Sequence, residues 1–275
     1  MTEARPYSGT VIAFATAHGK DDLAREPFAA ILDATVVAPP ALDTDQFGTF
    51  SGEIPRTLTP QAAAHAKAAL AMNAAGTPFA LASEGSFSGG FGLLVEHREL
   101  LLFVDRQRGL EVIEATTEIS PLPPSKAIDS VDGAERYADR IGFPAQGIIV
   151  RTASGISKDL RTSDAFRAHI DRSLGENSTV SIEPDLRAHR CPSRADTIAR
   201  LAQRMAHRLD TPCPTCATPG FGRVNVSRGV RCRDCGSPTE LIEADIFGCA
   251  RCDHTQSVLR APRRADPAHC PECNP

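Results

Sequence analysis

Short apolar runs alternate with amphipathic stretches along the first two hundred residues of the chain. TVIAFAT (10–16) has the length and composition of a buried strand. It leads into DDLAREPFAAIL (21–32), where Leu23, Phe28, Ile31 and Leu32 share one helical face. ATVVAP (34–39) predicts a second strand. TPQAAAHAKAALAMNAAG (59–76) predicts a helix with Thr59 as its N-cap, Pro60 at the first helical position and Gly76 at the stop. PFALAS (78–83) predicts a strand, and ELLLFVD with LEVIEATTEI predicts a hairpin around Arg108 and Gly109. Further on, AERYADRIG reads as a short helix and GIIVRTA as a strand. SDAFRAHIDRSLG is a helix capped by Ser163 or Asp164. TVSIEP is a strand, and CPSRADTIARLAQRMAHRL a last helix started by Pro192. This alternation predicts an α/β domain over residues 1–209, a layered sheet with flanking helices, and the hairpin makes the sheet mixed.

Beyond a boundary near Leu209–Pro212 the pattern changes to turns and cysteines. Four CxxC pairs follow: Cys213/Cys216, Cys232/Cys235, Cys249/Cys252 and Cys270/Cys273. A CxxC turn points two sulfurs at one metal, and two turns complete a tetrahedral four-thiolate site, closed to water and structural in most proteins. Residues 210–275 are therefore expected to form a small double zinc-ribbon-like module holding two structural Zn²⁺. A thioredoxin-type site would show one CxxC at a strand-to-helix junction instead. The pairs are separated by 15, 13 and 17 residues. A cross-braced arrangement usually has a short central interval, whereas consecutive pairing closes short loops at lower entropic cost. The expectation is consecutive pairing, as two ribbons of which the second resembles rubredoxin-like ribbons. Joining the second pair to the third stays open as the alternative. Cys191, without a partner at chelate spacing, is expected to bind neither ion.

Composition refines this picture. The N-terminus lacks a basic region followed by an apolar core, and no run reaches the ~18 apolar residues of a membrane span, which points to the cytoplasm and no membrane partner. The chain carries a net charge of −4. Its segment 211–275 has eight Arg and seven Asp/Glu, so the module has no overall basic excess, which argues against nucleic acid. Only Lys20, Lys67, Lys126 and Lys158 are lysines among thirty basic residues.

Candidate chemistry gathers in four polar loops at predicted strand ends, where α/β proteins place their sites. The first holds Thr16, His18, Gly19 and Lys20 ahead of a helix N-terminus, a pattern suited to phosphate. The second, 42–56, is long and aperiodic. Its Asp43 and Asp45 suit Mg²⁺, and it also carries Arg56. The third sets Glu84 beside Gly85, as a metal ligand or general base. The fourth joins Asp185, Arg187 and Arg194, as a buried ion network or an anion clamp.

The segments ATAHGK, DTDQFGTFSGEIPR, ASEGSF, GFP and DLRAHRCPSR, with the four CxxC pairs, together resemble a bacterial family known only as a domain of unknown function. That resemblance covers nearly the whole chain and implies no activity. In the family's pattern a His follows SEGSF and another follows GFP, where this chain has Ser88-Gly89-Gly90 and Ala145-Gln146. The first ninety residues or so are also similar to inosine-triphosphate pyrophosphatases. That similarity implies Thr16, His18 and Lys20 on phosphates, Lys67 on a flanking helix and Glu84 on Mg²⁺. The departures are a shorter loop, His18 in place of Asn, and Ser83-Glu84 in place of paired Asp. The leading expectation is a Mg²⁺-dependent enzyme, a hydrolase, acting on a phosphorylated small molecule or nucleotide. The alternative is a zinc-ribbon adaptor for protein or RNA with a ligand-sensing α/β domain.

Overall fold

The computed structural model describes residues 5–16, 19–40, 42–89, 95–176, 180–261 and 263–275. The chain divides into two compact units, Tyr7–Met205 and Ala206–Pro275, the latter with Arg5 and Pro6.

The first unit begins with β1 (Val11–Phe14), α1 (Asp22–Leu32), β2 (Thr35–Val37), α2 (Pro60–Ala75), β3 (Phe79–Gly89), β4 (Val95–Asp105) and β5 (Leu110–Ser120). These strands form one mixed sheet in the order β2-β1-β3-β4-β5. Its first three strands are parallel and β3, β4 and β5 are antiparallel. The chain continues through β6 (Lys126–Ile128), α3 (Val131–Ile141), β7 (Ile148–Thr152), β8 (Gly155–Ser157), α4 (Ser163–Glu176), β9 (Val180–Pro184) and α5 (Pro192–Asp210). Its four strands make a second sheet, β6-β9-β7-β8, antiparallel throughout.

Local signals explain most boundaries. Thr59 Oγ1 accepts from Ala62 N at 3.2 Å, and Gly76 ends α2 in the left-handed region. Thr162, rather than Ser163 or Asp164, caps α4: its hydroxyl accepts from Ala165 N at 3.2 Å, so the two expected caps are already helical. The segment 82–87, expected as a loop, lies inside β3, because β4 pairs with that strand residue for residue from Phe79–Asp105 to Gly89–Val95.

Ala64, Ala68 and Ala71 of α2 meet Ala13, Ala80, Ala82 and Leu102 of the mixed sheet in one buried cluster. Small side chains on both surfaces let the helix lie close over the strands. The second sheet packs Ile148, Val150 and Ile182 with Tyr137, Phe166, Ile170 and Cys191. Cys191 is thus a core residue. Among the described residues, no helix is long and apolar enough to cross a membrane.

The second unit is a three-stranded antiparallel meander, β10 (Gly222–Arg228), β11 (Ile242–Gly248) and β12 (Thr255–Leu259). Its CxxC turns lie outside the strands, at both ends of the sheet.

Candidate functional site

A cavity of about 80 Å³ in the first unit is lined by residues from the end of β1, the 42–56 segment, α2, β3 and the 187–194 stretch. One water needs roughly 10–15 Å³ on such a measure, so the space fits a group of a few heavy atoms. Lys20, Arg56, Lys67, Lys158, Arg187 and Arg194 line it, against Asp45 and Glu84. That concentration of positive charge stands out in a chain whose net charge is −4.

Most of these cations are paired. Glu84 Oε1 accepts from Lys67 Nζ, and Glu84 Oε2 accepts from Arg56 Nη2 at 3.0 Å. Arg56 also donates to Gly85 O at 2.8 Å. Arg187 donates to Asp185 at 2.6 Å and to Asp159 at 3.0 Å, and Lys158 pairs with Glu53. Arg194 is 1% exposed and holds the fully buried Glu99 through Nε at 2.8 Å and Nη2 at 3.1 Å. Its Nη1 donates to Leu186 O at 2.8 Å. Burial pushes Glu99 up, but Arg194, His97 and Lys20 outweigh it and hold the carboxyl at about 2. Gly85 makes room for this pair, since a Cβ there would stand 2.2 Å from Glu99 Oε2 and 2.8 Å from Arg194 Nη2. Arg194 and Arg56 also lie over the Phe50 ring, 4.1 and 4.8 Å from its centroid.

Lys20 differs from the other five. Its Nζ donates to Ser83 Oγ at 3.0 Å, and among the described residues no carboxylate lies within ion-pairing distance. Removal from water, reinforced by Arg194, pulls its ammonium down to about 7 against the opposing charges of Glu99 and Glu84. Several N–H groups at the start of the helix it precedes are already taken: Leu23 N donates to Lys20 O at 3.2 Å and Ala24 N to Asp21 O at 3.0 Å. Asp21 and Asp22 stand at that helix start. The cations that line the cavity are side chains.

The cavity brings together Thr16, Lys20, Asp45, Arg56, Glu84, Arg187 and Arg194 of the sequence-derived candidates. It leaves out Asp43, whose Oδ1 accepts from Asp45 N and Gln46 N and so shapes the turn. Asp185 is fully buried against Arg187. Gly19 turns the chain with a φ of +68° and does not line the cavity. His18 lies outside the described residues. Glu99 and His97 were not expected from sequence; the signal was their alternation in step with Leu101 and Phe103, which puts them on the buried face of β4. The Mg²⁺ site expected from Glu84, Asp43 and Asp45 finds no support: both Glu84 oxygens already accept from cations, Asp43 serves its own turn and lies outside the cavity, and among the described residues no three carboxylate, His or Cys ligands converge outside the cysteine unit.

In the second unit, Cys213, Cys216, Cys249 and Cys252 form one cluster and Cys232, Cys235, Cys270 and Cys273 another, with the sulfurs of each within 4.8 Å of one another. Cys213–Cys252 and Cys216–Cys249 are 3.8 and 3.6 Å apart. Cys232–Cys273 and Cys235–Cys270 are 3.9 and 3.5 Å apart. A tetrahedron with Zn–S of ~2.3 Å has sulfur–sulfur edges of about 3.8 Å, so each cluster could hold one zinc ion. The pairing is cross-braced, first turn with third and second with fourth, which corrects the expected consecutive pairing. The cause is the strand between turns. β10 carries the chain away from the first turn, and its seven residues, at ~3.3 Å per step, separate its ends by about 20 Å. Antiparallel β11 brings the third turn back, with Gly248 opposite Gly222. β12 then returns toward the second turn, with Leu259 opposite Ala244.

Fold and sites together define a two-unit α/β protein with a cation-lined cavity in one unit and paired four-cysteine centres in the other. The chain belongs to a family described as a domain of unknown function, DUF6671, whose family model matches residues 67–275. No curated protein and no solved structure gives a match.

Proposed function

We propose that the α/β unit binds the phosphoryl group of a small molecule in the cation-lined cavity, and that the cysteine unit is a structural module holding two Zn²⁺. The observation that carries the first part is Lys20. The other five cations are paired with carboxylates, whereas among the described residues Lys20 Nζ has one neutral partner, Ser83, and donor capacity to spare. An arriving phosphoryl oxygen would accept from Lys20 Nζ and favour its protonated form. Negative charge that grows on phosphoryl oxygens during transfer would meet the same cations, so hydrolysis of a phosphate ester is the reaction this cavity suits. Mg²⁺ has no role in this reading, because Lys67 and Arg56 occupy Glu84.

Isothermal titration with inorganic phosphate tests the site. Lys20→Ala should weaken binding by about 1.5–3 kcal/mol, the range for a hydrogen bond to a charged group. Added Mg²⁺ should leave the affinity unchanged. Absence of binding to the wild type, or an unchanged Lys20→Ala variant, would remove the reading. For the second unit, elemental analysis should return two zinc ions per chain.

A further inference from the structure

The cation-lined cavity has room for a phosphoryl group but not for the molecule carrying it. A larger cavity, about 230 Å³, adjoins it in the same unit. Its apolar walls include Phe87, Val95, Leu122, Pro123, Pro124 and Leu186, with the ion pair Arg151–Glu183 at one side. Three features make the cavities neighbours. Phe50 lines both. Arg151 of the larger cavity donates to the carbonyl of Ser51, which lines the smaller one, at 2.6 Å. Leu186 lines the larger cavity, and the next two residues, Arg187 and Ala188, line the smaller.

The walls favour a flat, apolar occupant. Phe87 is held in plane by His97, stacked at 4.2 Å with an interplanar angle of 5°. Phe50 meets Phe87 edge to face at 6.0 Å. Prolines and aromatic rings present rigid surfaces that lose little entropy on binding. An apolar cavity of about 150 Å³ suffices to hold benzene, so this one accepts a substituted ring.

We propose that the larger cavity receives the aromatic body of the ligand whose phosphoryl group sits beside Lys20, so that the ligand class is a phosphate ester of an aromatic compound. This rests on the phosphate reading above and narrows it. The full chain would be titrated with inorganic phosphate, glycerol 3-phosphate and phenyl phosphate. Burial of the ring should make phenyl phosphate bind about tenfold or more tightly than the other two. Ser125 lines the larger cavity and is exposed, so Ser125→Trp should fill the space. It should abolish the preference for phenyl phosphate while leaving inorganic phosphate affinity unchanged. Lys20→Ala should weaken all three. Equal affinity of the wild type for phenyl phosphate and inorganic phosphate would overturn the assignment and leave the phosphate site standing. A preference that survives in a folded Ser125→Trp would also overturn it. Failure of every phosphate compound to bind would remove the phosphate site itself, and this inference with it.

Discussion

In the α/β unit, Phe14, Phe28, Leu32, Phe103 and Phe166 are almost completely buried between sheets and helices. In the cysteine unit the buried side chains among the described residues are mostly small: beside Leu209 and Phe221 they include Ala206, Thr218, Val230, Thr239, Ala244, Ala265 and the sulfurs of Cys213, Cys232 and Cys270. A segment of that size buries too little apolar surface to outweigh its chain entropy, and needs staples. The larger unit can even hold charges in its interior. Its Arg194–Glu99 pair sits among buried side chains, where desolvation costs several kcal/mol per ion and only close pairing offsets it. One unit is organised by apolar burial with a costly polar site built into it, the other by two clusters of cysteine ligands.

Metal loss should break this comparison most severely, because structural zinc contributes on the order of 10 kcal/mol to the folding of such modules. Replacing Cys213, Cys216, Cys249 and Cys252 by Ala should lower zinc from two ions to about one per chain, since the cross-braced partner cluster stays complete. Consecutive pairing would leave none. Chelation of both ions should open 206–275 to proteases while 7–205 resists, and equal digestion of both units would show that the first also depends on metal.

Arg194→Ala tests the opposite side. It leaves Glu99 buried without its main partner and should cost about 3–5 kcal/mol in urea unfolding of the α/β unit, with zinc content unchanged. A cost below 1 kcal/mol would mean that water replaces the guanidinium.

Acid should act more mildly. Glu99 is held at about 2, below an unfolded value of ~4.3, so its stabilisation is complete above ~4.3 and is lost as pH falls toward 2. This amounts to on the order of 3 kcal/mol. Hydrogen exchange in β3 and β4 should follow that window in the wild type and become flatter in Glu99→Gln. An identical acid profile in the two proteins would assign the loss to other groups.

The smallest expected effect is Thr59→Ala, which removes a helix cap and should cost about 1 kcal/mol in the α/β unit alone. A change in zinc content would show that the units are coupled.

Much of this molecule is readable along the chain because its signals are local. Thr59, Pro60 and Gly76 delimit α2, the turn at Arg108–Gly109 joins β4 to β5, and chelate spacing identifies eight cysteine ligands. Lys20 and Glu84 were also legible as candidates, since each follows an apolar run in the sequence, and both line one cavity. What tertiary structure decided is which residues meet. Spacing along the chain does not reveal that Glu84 would be taken by both Lys67 and Arg56, or that β4 would keep the SEGSF segment in a strand. It does not join Glu99 to Arg194, ninety-five positions apart. Nor does it choose among the CxxC turns: loop entropy favoured neighbours in sequence, but the length of β10 and the antiparallel register of β11 place the first turn beside the third. Helix and strand signals act over a few residues, whereas the register of β10–β12 pairs the cysteine turns and the packing of α2, α5 and the 42–56 segment on the sheet pairs Glu84 and Glu99 with their cations.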